Sequence, residues 1–159
     1  MKYDNVRIGM NSRLDTLQAA VLLAKFDSFV SDEMQNINEI AKEYDRLFNE
    51  KASGHITTPV IKEGFKSSWA QYTIKAKDRS EREALQSFLK EADIPSFVYY
   101  PKPMHKQEAF RELPQLSLAQ DCNVTEKLSD TVLSLPISPY MAKDETEEVV
   151  SKIVLSFFK

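Results

Sequence analysis

From residue 13 to residue 50 the chain contains neither proline nor glycine, and its apolar residues recur at helical spacing. Leu14, Leu17, Val21 and Ala24 make one stripe, which Leu22, Phe26, Phe29 and Val30 broaden. A second stripe follows at Ile37, Ile40, Ala41, Tyr44, Leu47 and Phe48. The pattern predicts one long helix over 13–50, or two with a break near Ser31-Asp32. Ser12 is the expected cap, with Asp15 three residues on as the capping carboxylate. At ~1.5 Å per residue the helix would exceed ~50 Å, longer than a small domain is wide. A helix of that length usually bridges two bodies.

Gly54 ends the helical region, and Thr57-Thr-Pro-Val60 reads as a short extended piece. Residues 69–76 alternate and are rich in aromatic and β-branched types, which predicts a strand. A helix is expected over 79–93, with Leu85, Phe88, Leu89 and Ala92 inward. Residues 96–100 predict a further strand, stopped by Pro101 and Pro103. A modest helix over 117–130 precedes a short buried strand at 132–135, closed by Pro136 and Pro139. Asp144-Glu-Thr-Glu147 has capping-box spacing and starts a last helix whose apolar side is Val149, Val150, Ile153, Val154 and Phe157. The expected fold class is α/β (α+β): a long N-terminal helix, then helices packed on a small mixed sheet. The chain divides into a loop over 1–12, the helix over 13–50 and an α/β unit over 54–159.

Its 159 residues suffice for one domain with a real core. Lys and Arg number 21 against 24 Asp and Glu, a net charge of -3 that argues against a nucleic-acid footprint. The single cysteine, Cys122, cannot form an internal disulfide, and no Cys/His set has zinc spacing, so no metal site is expected. The cytoplasm is therefore the expected compartment. No apolar run approaches the ~18 residues of a membrane span. With only three glycines, the chain has no window that could form either familiar phosphate loop.

Two segments carry candidate chemistry. In Tyr99-Tyr-Pro-Lys-Pro-Met-His105, two prolines fix a turn holding two phenols and an imidazole close together. His105 could serve as proton donor or anion partner. The alternative is a strand exit whose tyrosines simply pack on the surface. Gly9-Met-Asn-Ser-Arg13 precedes a helix N-terminus, where free amides and the dipole favour an anion. Asn11 and Arg13 suit phosphate or carboxylate there, since guanidinium is a fork for such groups. Alternatively, Asn11 or Ser12 is only the cap and Arg13 a solvated first-turn residue. Trp69 and Gln71 read as core and rim, His55 as an exposed loop residue and Cys122 as a small apolar filler. No Gly-x-Ser-x-Gly elbow singles out a nucleophile.

Four segments occur in order: Gly9-Met-Asn-Ser-Arg-Leu-Asp-Thr-Leu-Gln-Ala-Ala20, Trp69-Ala-Gln-Tyr-Thr-Ile74, Tyr99-Tyr-Pro-Lys-Pro-Met-His105 and Leu133-Ser-Leu-Pro-Ile-Ser-Pro139. Together they resemble the DegT/DnrJ/StrS-type family of pyridoxal-phosphate sugar aminotransferases, above all those that aminate a UDP-linked 3-keto sugar. The resemblance implies the small C-terminal domain of a fold-type-I aminotransferase, with residues 1–12 as the loop from a large domain. The family's imine-forming lysine and its acidic partner for the pyridinium nitrogen both lie upstream of the matching region. None of the lysines here stands in a Ser-Phe-x-x-x-Lys setting, so no catalytic residue is assigned. The chain alone is expected neither to bind pyridoxal phosphate nor to transaminate.

By the same resemblance, Asn11 contacts the cofactor phosphate in a neighbouring subunit, and Arg13 contacts phosphate or substrate. Tyr99, Tyr100 and His105 are implied on the nucleotide-sugar side, although many relatives carry His at the position of Tyr99. A homodimer is expected. The contrasting expectation is a non-catalytic binding or dimerisation module derived from the family, because apolar residues cover more than one face of the first helix.

Overall fold

The computed structural model describes residues 3–112 and 122–158. Helix α1 (Thr16–Ser28) begins at Thr16 rather than at Arg13, where a cap at Ser12 would start it. Asp15 itself is the cap, and its carboxylate accepts the Gln18 amide at 2.9 Å. Without a break, α1 passes into a π-helical turn (Phe29–Glu33) and then α2 (Met34–Lys51). The change near Ser31-Asp32 is therefore a widened turn, not a gap between two helices. It resets the helical phase between the two apolar stripes. On α2 the second stripe is buried throughout: Ile37, Ile40, Ala41, Tyr44, Leu47 and Phe48. On α1 nothing is buried.

Strands β1 (Tyr72–Lys75) and β2 (Val132–Leu135) pair antiparallel, with Tyr72 opposite Leu135 and Ile74 opposite Leu133. Single antiparallel bridges widen this ribbon on both sides, Thr57 to Lys75 and Phe97 to Ser134. The helices-on-a-small-sheet class stands, yet every described pairing is antiparallel where the sequence predicts a mixed sheet. β1 is shorter than residues 69–76 because Trp69 takes a positive φ of 48°, which no strand tolerates. Residues 96–100 form no strand; only Phe97 bonds to Ser134, its amide donating at 3.0 Å and its carbonyl accepting at 2.7 Å. Pro95 and Pro101 flank that segment and lack the N–H a longer ladder would use.

Helix α3 (Arg79–Glu91) is capped by Asp78, whose carboxylate accepts the Glu81 amide at 2.9 Å. It closes with Asp93 at φ 57° while the Ile94 amide reaches back to Leu89 O at 2.9 Å. That is the double-bond helix stop in which Leu89 and Ile94 also meet in the core. α4 (Asn123–Thr131) runs straight into β2; residues 113–121, with the start of the helix expected from 117, lie outside the described residues. α5 (Lys143–Ser156) starts one residue ahead of the Asp144 box, with Glu145 accepting the Ala142 amide at 2.7 Å.

One apolar cluster joins these elements. Tyr44 stacks on Tyr72 at 4.7 Å and on Phe48 at 6.1 Å, with Trp69 tilted against Tyr72 at 5.5 Å. Leu85, Leu89, Val149, Val150 and Ile153 close it from α3 and α5. Each such side chain contributes about 1.5–3 kcal/mol when fully buried. The polar ends are satisfied: the Tyr44 hydroxyl donates to Pro136 O at 2.8 Å, and the Tyr72 hydroxyl donates to Asp45. Burial pushes both phenols well above the usual tyrosine range. Among the described residues no helix is long and apolar enough to cross a membrane.

Candidate functional site

Beyond Phe97 the chain leaves the sheet, and Pro101 and Pro103 direct it into two 3-10 turns, Met104–Lys106 and Glu108–Phe110. This proline turn faces α4 across a cleft of about 570 Å³. Tyr99 and Tyr100 line one wall, Thr125 and Ser129 of α4 the other, and Tyr3 and Asn5 a third. The Tyr3 ring stands edge-on to Tyr99 at 5.9 Å and to Tyr100 at 5.4 Å. Tyr100 is exposed and Tyr99 half-buried. Desolvation and a hydrogen bond with Tyr3 raise the Tyr99 phenol, so it stays protonated at neutral pH and remains a donor.

The third wall is not legible from sequence, because its anchor spans a hundred residues. Gln107 is 2% exposed and uses its whole side-chain amide. Its Oε1 accepts the Asn5 amide at 2.9 Å, and its Nε2 donates to Tyr3 O and Lys102 O, both at 3.0 Å. The Ala109 amide adds a bond to Asn5 O at 2.8 Å, and Lys102 pairs with Asp4 at 3.4 Å. A buried amide with every donor and acceptor engaged fixes its partners, since an unmade bond there costs about 1–3 kcal/mol. Tyr3, Asn5 and Gln107 have no periodicity or motif that could have flagged them.

His105 sits on the first 3-10 turn with its side chain 18% exposed. Its Nε2 lies 2.9 Å from Glu126 Oε1, while Lys106 Nζ lies 2.7 Å from Glu126 Oε2. Lys106 first, and His105 after it, hold the Glu126 carboxyl below its ordinary range, so it is ionised at neutral pH. His105 thus flanks the cleft without lining it, between neighbours Met104 and Gln107 that do.

Asn11 and Arg13 lie apart from this cleft. Both are exposed in the irregular stretch before α1, and neither has a hydrogen bond or ion pair among the described residues. The cap role belongs to Asp15, so Asn11 and Ser12 are not spent on it. The structure therefore joins Tyr99, Tyr100 and His105 in one neighbourhood and leaves Asn11 and Arg13 outside it. Trp69 is buried and donates its indole N–H to Asn38 at 3.0 Å; His55 is exposed and stacks on Phe157 at 4.7 Å. No group of three His, Cys, Asp or Glu that could hold a metal occurs among the described residues.

The fold of helices on a small antiparallel ribbon recurs in a solved aminotransferase structure. The sequence matches the DegT/DnrJ/EryC1/StrS aminotransferase family over residues 1–154, and the chain belongs to that family. Among curated relatives, a dTDP-3-amino-3,6-dideoxy-alpha-D-galactopyranose transaminase of Aneurinibacillus thermoaerophilus is 38% identical over 96% of this chain and 39% of its own length. A UDP-2-acetamido-2-deoxy-3-oxo-D-glucuronate aminotransferase of Pseudomonas aeruginosa is 38% identical over 88% of this chain and 36% of its own. The crystal structure of a family aminotransferase from Brucella abortus superposes with a TM-score of 0.74 at 37% identity, covering 96% of this chain and 38% of that one. The chain therefore spans about two fifths of the length of the curated relatives it matches.

Proposed function

We propose that this chain is the small-domain part of a pyridoxal-phosphate-dependent aminotransferase acting on a nucleotide-linked 3-keto sugar in the cytoplasm. The observation that carries it is the 38% identity to two transaminases whose names place the nitrogen at carbon 3 of a nucleotide sugar. When bound, pyridoxal phosphate supplies the electron sink for moving an amino group. The residues described fit one edge of that group. Asn11 and Arg13, exposed and uncommitted beside a helix start, suit its phosphate. The two lysines of the proline turn do not fit its imine, since Lys102 pairs with Asp4 and Lys106 with Glu126.

The lysine and the ring-binding surface are accordingly assigned to a large domain, and the chain by itself is inactive. Tyr99 and Tyr100 bind the sugar nucleotide within the cleft, and His105 binds it from the flank. Asn11 and Arg13 reach a second copy's cofactor, in keeping with their distance from the cleft of their own chain. The exposed apolar surface of α1 would be covered in that assembly.

Co-expression with a large-domain polypeptide of the family provides the test. Coenzyme absorbance and turnover of a UDP-linked 3-keto sugar with glutamate are expected from the pair, and neither from the chain alone. A borohydride-reducible coenzyme adduct on a lysine of the isolated chain would overturn the division of labour. Normal coenzyme loading of the pair without any use of nucleotide sugars would overturn the substrate class.

A further inference from the structure

The contact between His105 and α4 has a direction that the assignment of His105 to the sugar side does not explain. Two consecutive residues, His105 and Lys106, take the two oxygens of one carboxylate, at 2.9 Å and 2.7 Å. Lys106 occupies Oε2 and leaves Oε1 to the imidazole, so the carboxylate cannot swing without breaking one of the two contacts. Glu126 lies in the first turn of α4, next to Thr125 and two residues before Leu128, both of which line the cleft. The lysine and glutamate are substantially exposed, at 52% and 38%, and exposed pairs of this kind add little to stability. Orientation of the ring is what the arrangement supplies. A carboxylate at Nε2 holds the proton on that nitrogen and leaves Nδ1, which has no partner among the described residues, to meet a ligand.

We propose that Glu126 is a positioning residue for the nucleotide-sugar site: it fixes the ring angle of His105 and presents Nδ1 as the acceptor for a ligand hydroxyl. This rests on the assignment of His105 to the substrate side, and the test separates the two. In the 159-residue chain labelled with 15N-histidine, the Nε2 proton of His105 is protected and visible at pH 8, while that of exposed His55 serves as the exchanging reference. Glu126→Ala abolishes the His105 signal, and Glu126→Gln, which still offers an acceptor, restores it. In the chain paired with its large domain, Glu126→Ala raises KM for the nucleotide sugar about threefold to tenfold, the worth of one ordinary hydrogen bond. kcat stays within about twofold, and Glu126→Gln recovers most of the loss.

An unchanged KM in His105→Ala would overturn the substrate assignment itself. A raised KM in His105→Ala together with wild-type behaviour of Glu126→Ala would overturn the positioning role alone. So would loss of the Nε2 signal with KM unmoved, or a KM change that Glu126→Gln fails to rescue.

Discussion

α1 and α2 belong to one continuous helical run, yet one buries six side chains and the other none. The difference lies in phase. At about 100° per residue, Leu17, Val21 and Ala24 fall on one side of α1 while Leu22 and Phe26 fall on nearly the opposite side. No single neighbouring surface can cover both. On α2 the apolar positions follow one stripe, and α5 and the Tyr72 ring pack against it. The large apolar residues of α1 are left 56% to 81% exposed. Gln18 and Lys25 share a polar side of α1, and its apolar residues spread over most of the circumference instead of one stripe.

The contrast can be broken most decisively by matched truncations. Leu47→Ala on α2 should cost about 3 kcal/mol in urea unfolding, whereas Leu17→Ala on α1 should stay within about 0.5 kcal/mol. Comparable losses at the two positions would mean that α1 is already covered in solution. Asp15→Ala gives a smaller and more local effect. Losing this cap weakens α1 by about 1 kcal/mol. Hydrogen exchange should therefore accelerate across α1 while the unfolding midpoint of the α2 core stays in place. A midpoint that falls in step would show the two helices to be one cooperative unit.

The smallest effect concerns Asp45, where α2 meets Tyr72. Burial raises this carboxyl, and the hydrogen bonds from Tyr72 and Thr58 only partly offset that. A folded-state value above the unfolded one means that ionisation works against folding. The deficit is present at neutral pH and fades as pH falls through the folded value toward the unfolded ~3.9. Asp45→Asn should thus gain a fraction of a kcal/mol at pH 7, discounted because the group is partly solvated, and nothing near pH 3. Stability that instead falls at pH 7, with the gap unchanged in acid, would mean that the bond from Tyr72 outweighs the cost of burying the charge.

Local chemistry makes much of the architecture legible. β2 is predicted at its observed limits because Pro136 stops it, and the six core residues of α2 follow from spacing alone. What spacing misses is long-range. Nothing near Ser96 or Tyr100 announces that only Phe97 finds a partner, because pairing depends on how far β2 extends. Asp15 displaces Ser12 as cap by one turn of backbone geometry that either residue type allows. For the site, the resemblance singles out the proline turn, whereas Tyr3, Asn5 and Gln107 come together only through folding. The Glu126 contact lies 21 residues from His105, with no spacing rule to link them.

The Gln107 anchor also sets how far Asn11 can travel. The stretch from Asn5 to Asp15 is pinned at one end by a buried amide and at the other by a helix cap. About ten residues of free backbone can extend no more than ~35 Å between those points. Any phosphate met by Asn11 or Arg13 must enter that short radius. A single residue deleted between Val6 and Leu14 would shorten the leash by about a tenth without touching the core, a dial on reach that leaves the rest of the molecule unaltered.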